Sequence, residues 1–142
     1  MPTKVELRKL AQTRLEEAKV LFHNGLYDGA FYLAGYVIEL ALKARICKLL
    51  DRQDYPENEK FAQAYKTHSL DDLLKLAGLK ERFDQDKLAN RQLLNNWSLV
   101  TSWKETFRYN PVGSKSRQDI LDLISAIEDS RFGIFTWIKR RW

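Results

Sequence analysis

The stretch Gly25–Lys48, GLYDGAFYLAGYVIELALKARICK, constrains this chain more than any other. Between Gly29 and Leu42 its only carboxylate is Glu39, and the remaining positions are apolar, aromatic or small on every side. A helix apolar all round has to be covered all round. The run falls short of the roughly 20 apolar residues that a bilayer crossing needs, and Lys43 and Arg45 follow at once. The cover must therefore come from other helices of this chain or from a second copy, and a buried Glu39 must be paired or hydrogen-bonded there.

The flanking sequence supplies those helices. From Val5 to Asn24, Leu7, Leu10, Ala11, Ala18, Leu21 and Phe22 recur at helical spacing among charged residues, which marks an amphipathic helix with one face to bury. Asn24-Gly25 tolerates the left-handed backbone that ends helices, so the first two helices should form an antiparallel hairpin. Gly29 and Gly35 each cost roughly 1 kcal/mol of helix propensity, which points to a close neighbour at both. Asp51–Glu59 reads as a polar loop broken by Pro56, and Phe61–Tyr65 as a short helical turn. Ser69 is placed to cap a short helix with Asp71 and Asp72 in its first turn, ending at Gly78.

Two further helices follow. A fourth is expected from about Asp84 to Phe107, with Leu88, Leu93, Leu94, Trp97, Val100, Trp103 and Phe107 as its stripe. Arg108-Tyr109-Asn110-Pro111-Val112-Gly113 forms a turn. A fifth starts near Ser116, with Asp119 as its first-turn acid, and carries Ile120, Leu123, Ile124, Ile127, Phe135 and Ile138. No stretch alternates with period two long enough for a strand, and there is no internal repeat. The expected architecture is all-α: one domain over residues 1–142, an antiparallel bundle of four long helices plus one short helix.

At 142 residues a domain buries about 68–70% of its unfolded surface, enough for a core without disulfide staples. The single cysteine, Cys47, lies inside the apolar run and fits a small buried hydrophobe in a reducing cytoplasm. With no apolar leader after Met1-Pro2-Thr3, a soluble cytoplasmic protein without membrane attachment is expected. The net charge of +5 leans towards anionic partners. One Cys and two His, His23 and His68, make no zinc cluster of usual spacing and no nucleophile triad, and no glycine-rich loop follows a strand. No metal or cofactor is therefore expected. Metal-independent RNA cleavage remains open, since the ribose 2′-hydroxyl is the nucleophile and the protein supplies proton transfer and charge stabilisation.

GLYDGAFYLAGYVIELALKARI resembles the HEPN domain family (higher eukaryotes and prokaryotes nucleotide-binding): a first helix, a G-x-Y-x-x-A entry and a buried helix with a Glu-x-x-x-Lys pairing, here Gly25, Tyr27, Ala30, Glu39 and Lys43. His68-Ser69-Leu70 is similar to the family's His-x-Leu helix start, and Phe107-Arg108-Tyr109-Asn110-Pro111 resembles the Arg-Tyr-Pro segment of its nucleotidyltransferase-associated branch. The resemblance implies a helical, dimeric domain tied to RNA cleavage or nucleotide binding in prokaryotic toxin–antitoxin or defence systems. Members that cleave RNA carry an Arg followed four to six residues later by a His. After Arg108 this chain reads Tyr109, Asn110, Pro111, Val112, Gly113, Ser114, Lys115, with no His, and no Arg precedes His23 or His68 at that spacing.

Each candidate residue carries a structural and a functional reading. Glu39 either ties the bundle together through Lys43, His68 or Arg108, or serves a ligand. Arg108 either closes a helix end or holds a phosphate. Tyr109 either packs or stacks on a base, and His68 either orders the short helix or transfers protons. Lys139-Arg140-Arg141-Trp142 is either a solvated end or an anion-binding tail. The aromatic load fits a homodimer. The leading expectation is a non-enzymatic module binding RNA or a nucleotide, or partnering a small nucleotidyltransferase, through Glu39, Lys43, Arg108, Tyr109 and Lys115. Its rivals are a metal-independent ribonuclease toxin using Arg108 with His68 or Tyr109, and a purely structural dimeric subunit.

Overall fold

The computed structural model describes residues 2–58 and 63–142. Among these residues seven α-helices run in order: α1 (Lys4–His23), α2 (Tyr27–Leu49), α3 (Leu70–Leu76), α4 (Lys80–Ala89), α5 (Arg91–Thr101), α6 (Arg117–Glu128) and α7 (Ile134–Lys139). Single 3-10 turns lie at Pro56–Asn58, Gln63–Tyr65 and Glu105–Tyr109. No strand occurs among the described residues, only an isolated bridge between Thr3 and Asp54. Phe61 and Ala62 of the expected short turn lie outside the described residues.

Local chemistry sets the helix starts. Thr3 and Glu6 close a capping box at α1, and Ser116 and Asp119 close another at α6, so each helix begins with two otherwise orphaned amides satisfied. Gly25, at φ +74°, takes the left-handed conformation that lets the chain fold straight back from α1 into α2. At Gly29 the expected close neighbour is not found: a Cβ there would meet Leu21 Cδ1 at 3.4 Å, an ordinary van der Waals contact.

The central helix is α2, as its apolar circumference requires. It packs against α1, α3, α6, α7 and the Glu105–Tyr109 turn. Ala30, Ala34, Val37, Ile38, Ala41, Leu42, Ala44 and Ile46 are fully buried along its length. Gly35 is where the Trp103 indole lies against the helix backbone, and any Cβ there would sit closer than 3.0 Å to the ring.

The later helices are shorter than the apolar spacing predicts. The expected Asp84–Phe107 helix is two and stops at Thr101, short of Trp103 and Phe107; it divides because Asn90 adopts extended backbone (φ −142°, ψ 107°) and its side-chain oxygen accepts from Leu93 N at 3.2 Å. Asn competes with a continuous helix by offering this cap. The break rotates the stripe, leaving Leu88 91% exposed while Leu93, Trp97 and Val100 stay buried. The helix expected from Ser116 through Ile138 likewise divides at Asp129, whose carboxylate accepts from the Arg131 and Phe132 amides. Trp142, expected at a solvated end, is instead tied down: its indole N–H donates to Ala41 O at 3.2 Å.

Candidate functional site

One face of α2 collects the polar residues that the buried helix tolerates. Asp28, Tyr32, Tyr36, Glu39 and Lys43 follow one another at three- and four-residue steps and so line a single stripe. Opposite it run Trp103, the Glu105–Tyr109 turn and the segment to Lys115. The stripe meets this strip at three levels.

At the deepest level, Glu39 is 2% exposed. Its Oε1 lies 2.5 Å from His68 Nδ1 and 3.9 Å from Lys43 Nζ. The far edge of the imidazole, Nε2, lies 3.0 Å from Glu105 Oε2. Each ring nitrogen therefore faces a carboxylate. A neutral imidazole carries only one N–H, so full satisfaction requires one extra proton shared among the ring and the two carboxyls. Burial pushes the Glu39 carboxyl above its ordinary value, opposed by Lys43 and His68. Lys43 in turn lies 5.1 Å from the Tyr55 ring centroid. The two carboxylates approach opposite ends of the imidazole and cannot converge on one ion, and no group of His, Cys, Asp and Glu among the described residues is arranged to hold a metal.

The middle level is aromatic. The Tyr32 hydroxyl donates to the Tyr36 hydroxyl at 3.2 Å, and both rings pack on Trp103 with centroids 5.9 and 4.7 Å away. Burial, with the Tyr32 contact, raises the Tyr36 pKa and keeps the phenol neutral. Beside Glu105 a cleft of about 440 Å³ opens between His68 and Trp103.

At the N-terminal end of α2 the site becomes basic and open. Asp28 accepts from the Gly113 and Lys115 amides at 2.6 and 2.9 Å and pins the turn that carries Lys115. These amide donors hold its carboxyl below the ordinary range. The Lys115 ammonium sits over Phe31 and Phe107, at 4.3 and 4.8 Å from the centroids. Arg108 lies over Tyr109, with its guanidinium carbon 4.8 Å from the ring centroid, and Tyr109 is 74% exposed. Tyr32, Phe107, Arg108, Asn110 and Lys115 help line a cleft of about 270 Å³ there.

A family model described as HEPN domain matches residues 5–129, nearly the whole chain. The chain belongs to the HEPN domain family. No curated protein and no solved structure matches it. HEPN membership associates the chain with nucleotide- or RNA-related function, and no helix among its described residues is long and apolar enough to cross a membrane.

In this HEPN chain the expected site residues fall into two groups on one stripe. Glu39, Lys43 and His68 meet directly, whereas Arg108, Tyr109 and Lys115 gather at the other end, beyond the Tyr32–Tyr36 pair. Sequence reasoning missed Asp28, Tyr32, Tyr36 and Glu105. The step of four from Asp28 to Tyr32 to Tyr36, continued by the step of four from Glu39 to Lys43, was a legible signal for the first three. Nothing local marks Glu105, because its contact with His68 spans distant segments.

Proposed function

We propose that this HEPN chain is a non-enzymatic module that binds RNA or a nucleotide at the basic end of the α2 stripe. The observation that carries this reading is the solvent-exposed Arg108–Tyr109 stack beside the Lys115 cleft. An exposed ring with a guanidinium on its face offers a base a stacking platform and a phosphate a planar donor set. In this reading the module is a cytoplasmic homodimer in a prokaryotic toxin–antitoxin or defence system, with partnership to a small nucleotidyltransferase as the alternative to RNA or nucleotide binding.

The ribonuclease reading draws less support from the site. Both nitrogens of His68 are engaged by carboxylates, leaving neither to take or give a proton at a substrate. Fluorescence anisotropy with a labelled RNA oligonucleotide and a labelled nucleotide tests the proposal. Binding should weaken with salt, at a log–log slope of about −0.7 per phosphate contacted. Tyr109→Ala should weaken it by about 1–3 kcal/mol, the usual worth of one base stack, with the RNA recovered intact. Absence of salt-sensitive binding to either probe, or RNA cleavage that survives chelator and disappears in Arg108→Ala, would refute it.

A further inference from the structure

A second basic region lies outside the α2 stripe. Asp86 on α4 accepts from the Trp137 indole N–H at 2.8 Å, and has Arg82 Nε and Arg141 Nη2 each at 3.5 Å. One carboxylate thus serves two guanidiniums. Arg45, reaching from α2, donates to the carbonyls of Ala77 (3.3 Å) and Arg141 (2.8 Å), and Arg140 donates to the Ser130 carbonyl (3.0 Å). These acceptors are neutral, and among the described residues neither guanidinium has a carboxylate partner. Arg141 itself is stacked on Trp137, with its guanidinium carbon 3.7 Å from the ring centroid. Arg82 and Arg141 therefore share a single acid, with Arg45 on the Arg141 carbonyl and Arg140 next in the chain adding further positive charge, a surplus that an added anion relieves.

The same acid lines a cleft of about 260 Å³ with Asn90, Leu93, Arg131, Phe132 and Trp137. That volume lies just under the roughly 300 Å³ at which clefts for drug-sized ligands begin, which suits one flat ring better than a whole nucleotide. Asn90 spends its side-chain oxygen capping α5, and its amide nitrogen has no partner among the described residues. A base entering the cleft would meet aromatic walls and that donor. Single strands present their bases in this way and duplexes do not.

We propose that the corner formed by α4, α7 and Arg45 is a second contact for single-stranded RNA, with phosphates on Arg82, Arg140 and Arg141 and one unstacked base in the adjoining cleft. It rests on the RNA reading of the Arg108 end and adds a separate footprint to it. Burial, with repulsion from Arg82, Arg140 and Arg45, also lowers the Arg141 pKa, in keeping with an unneutralised cluster.

Arg82 and Arg140 are exposed, so Arg82→Ala/Arg140→Ala leaves the core intact, which a melting curve checks. The experiment is anisotropy titration of a labelled single-stranded RNA, its duplex, and anionic lipid vesicles, across salt. The double variant should lower the magnitude of the single-strand salt slope by about 1.4, from about 0.7 for each lost phosphate contact. Single-stranded RNA should outcompete the duplex. An unchanged slope in the double variant, with binding lost in Arg108→Ala, overturns this inference and leaves the Arg108 reading standing. No salt-sensitive RNA binding by the wild type overturns both. Equal affinity for duplex and single strand, or a loss confined to vesicle binding, also overturns it.

Discussion

Replacing Gly35 by Ala should destabilise this protein, although alanine is the better helix former. The added methyl falls on the Trp103 indole, closer than any real Cβ contact, and Trp103 is only 5% exposed. Either α2 bends or the indole leaves its seat between Tyr32 and Tyr36. Forcing extra volume into a packed core costs typically 1–3 kcal/mol, and full loss of a buried Trp's packing about 3–5 kcal/mol. The propensity gain of about 1 kcal/mol offsets part of this, leaving a net loss of up to about 2 kcal/mol if α2 bends and of about 2–4 kcal/mol if the indole is expelled. For a chain of this size the larger loss lowers the melting temperature by about 5–15 °C. Thermal unfolding followed by far-UV circular dichroism measures it, with Gly35→Ala repeated in a Trp103→Ala background. There the clash is gone, so the second substitution should be neutral or stabilising, a strongly non-additive cycle. A Gly35→Ala protein melting at or above the wild-type temperature, or additive losses, would refute the close packing of the indole on α2.

Other substitutions probe the remaining parts of the stripe and core. Gly29→Ala has room against Leu21 and should raise stability by about 0.5–1 kcal/mol in the same melting assay. Glu39 has its pKa raised by burial above the ordinary 4.5, so the folded state holds that proton to higher pH than the unfolded chain does. Its favourable contribution is complete below the unfolded value and is lost as pH rises through the folded one. Glu39→Gln removes this titration, so wild type should lose ground to the variant in denaturant titrations as pH increases above 4.5; a gap moving the other way contradicts the assignment. Asp28 is the opposite case, its contribution present above the ordinary 3.8 and lost as pH falls through its lowered value. Asp28→Ala should speed hydrogen exchange at the Gly113 and Lys115 amides it now holds, and unchanged exchange there would show that the turn is anchored otherwise. Asn96, buried on α5, donates to the Phe132 carbonyl at 2.9 Å. Asn96→Ala should cost about 1–3 kcal/mol in a urea titration, because a buried acceptor loses its donor.

Sequence alone settled much of what depends on neighbours within about one helical turn. An uninterrupted apolar run with one acid demanded a central helix; Asn24-Gly25 demanded a reversal; Ser116 with Asp119 marked a helix start; Glu39 demanded a partner and had Lys43 one turn away. Apolar periodicity also overran Asn90 and Asp129, since a hydrophobic stripe continues across a break that side-chain capping makes. Which partners Glu39 takes was decided by packing. His68 stands 29 residues away, and Glu105 joins only because Trp103 fills the groove that Gly35 leaves open. The same packing separates Arg108, Tyr109 and Lys115 from Glu39 and gathers Arg45, Arg82, Arg140 and Arg141 at another corner. Local chemistry is carried by spacing along the chain, whereas meetings between distant segments are selected by whichever arrangement buries the apolar faces and leaves every buried charge a partner.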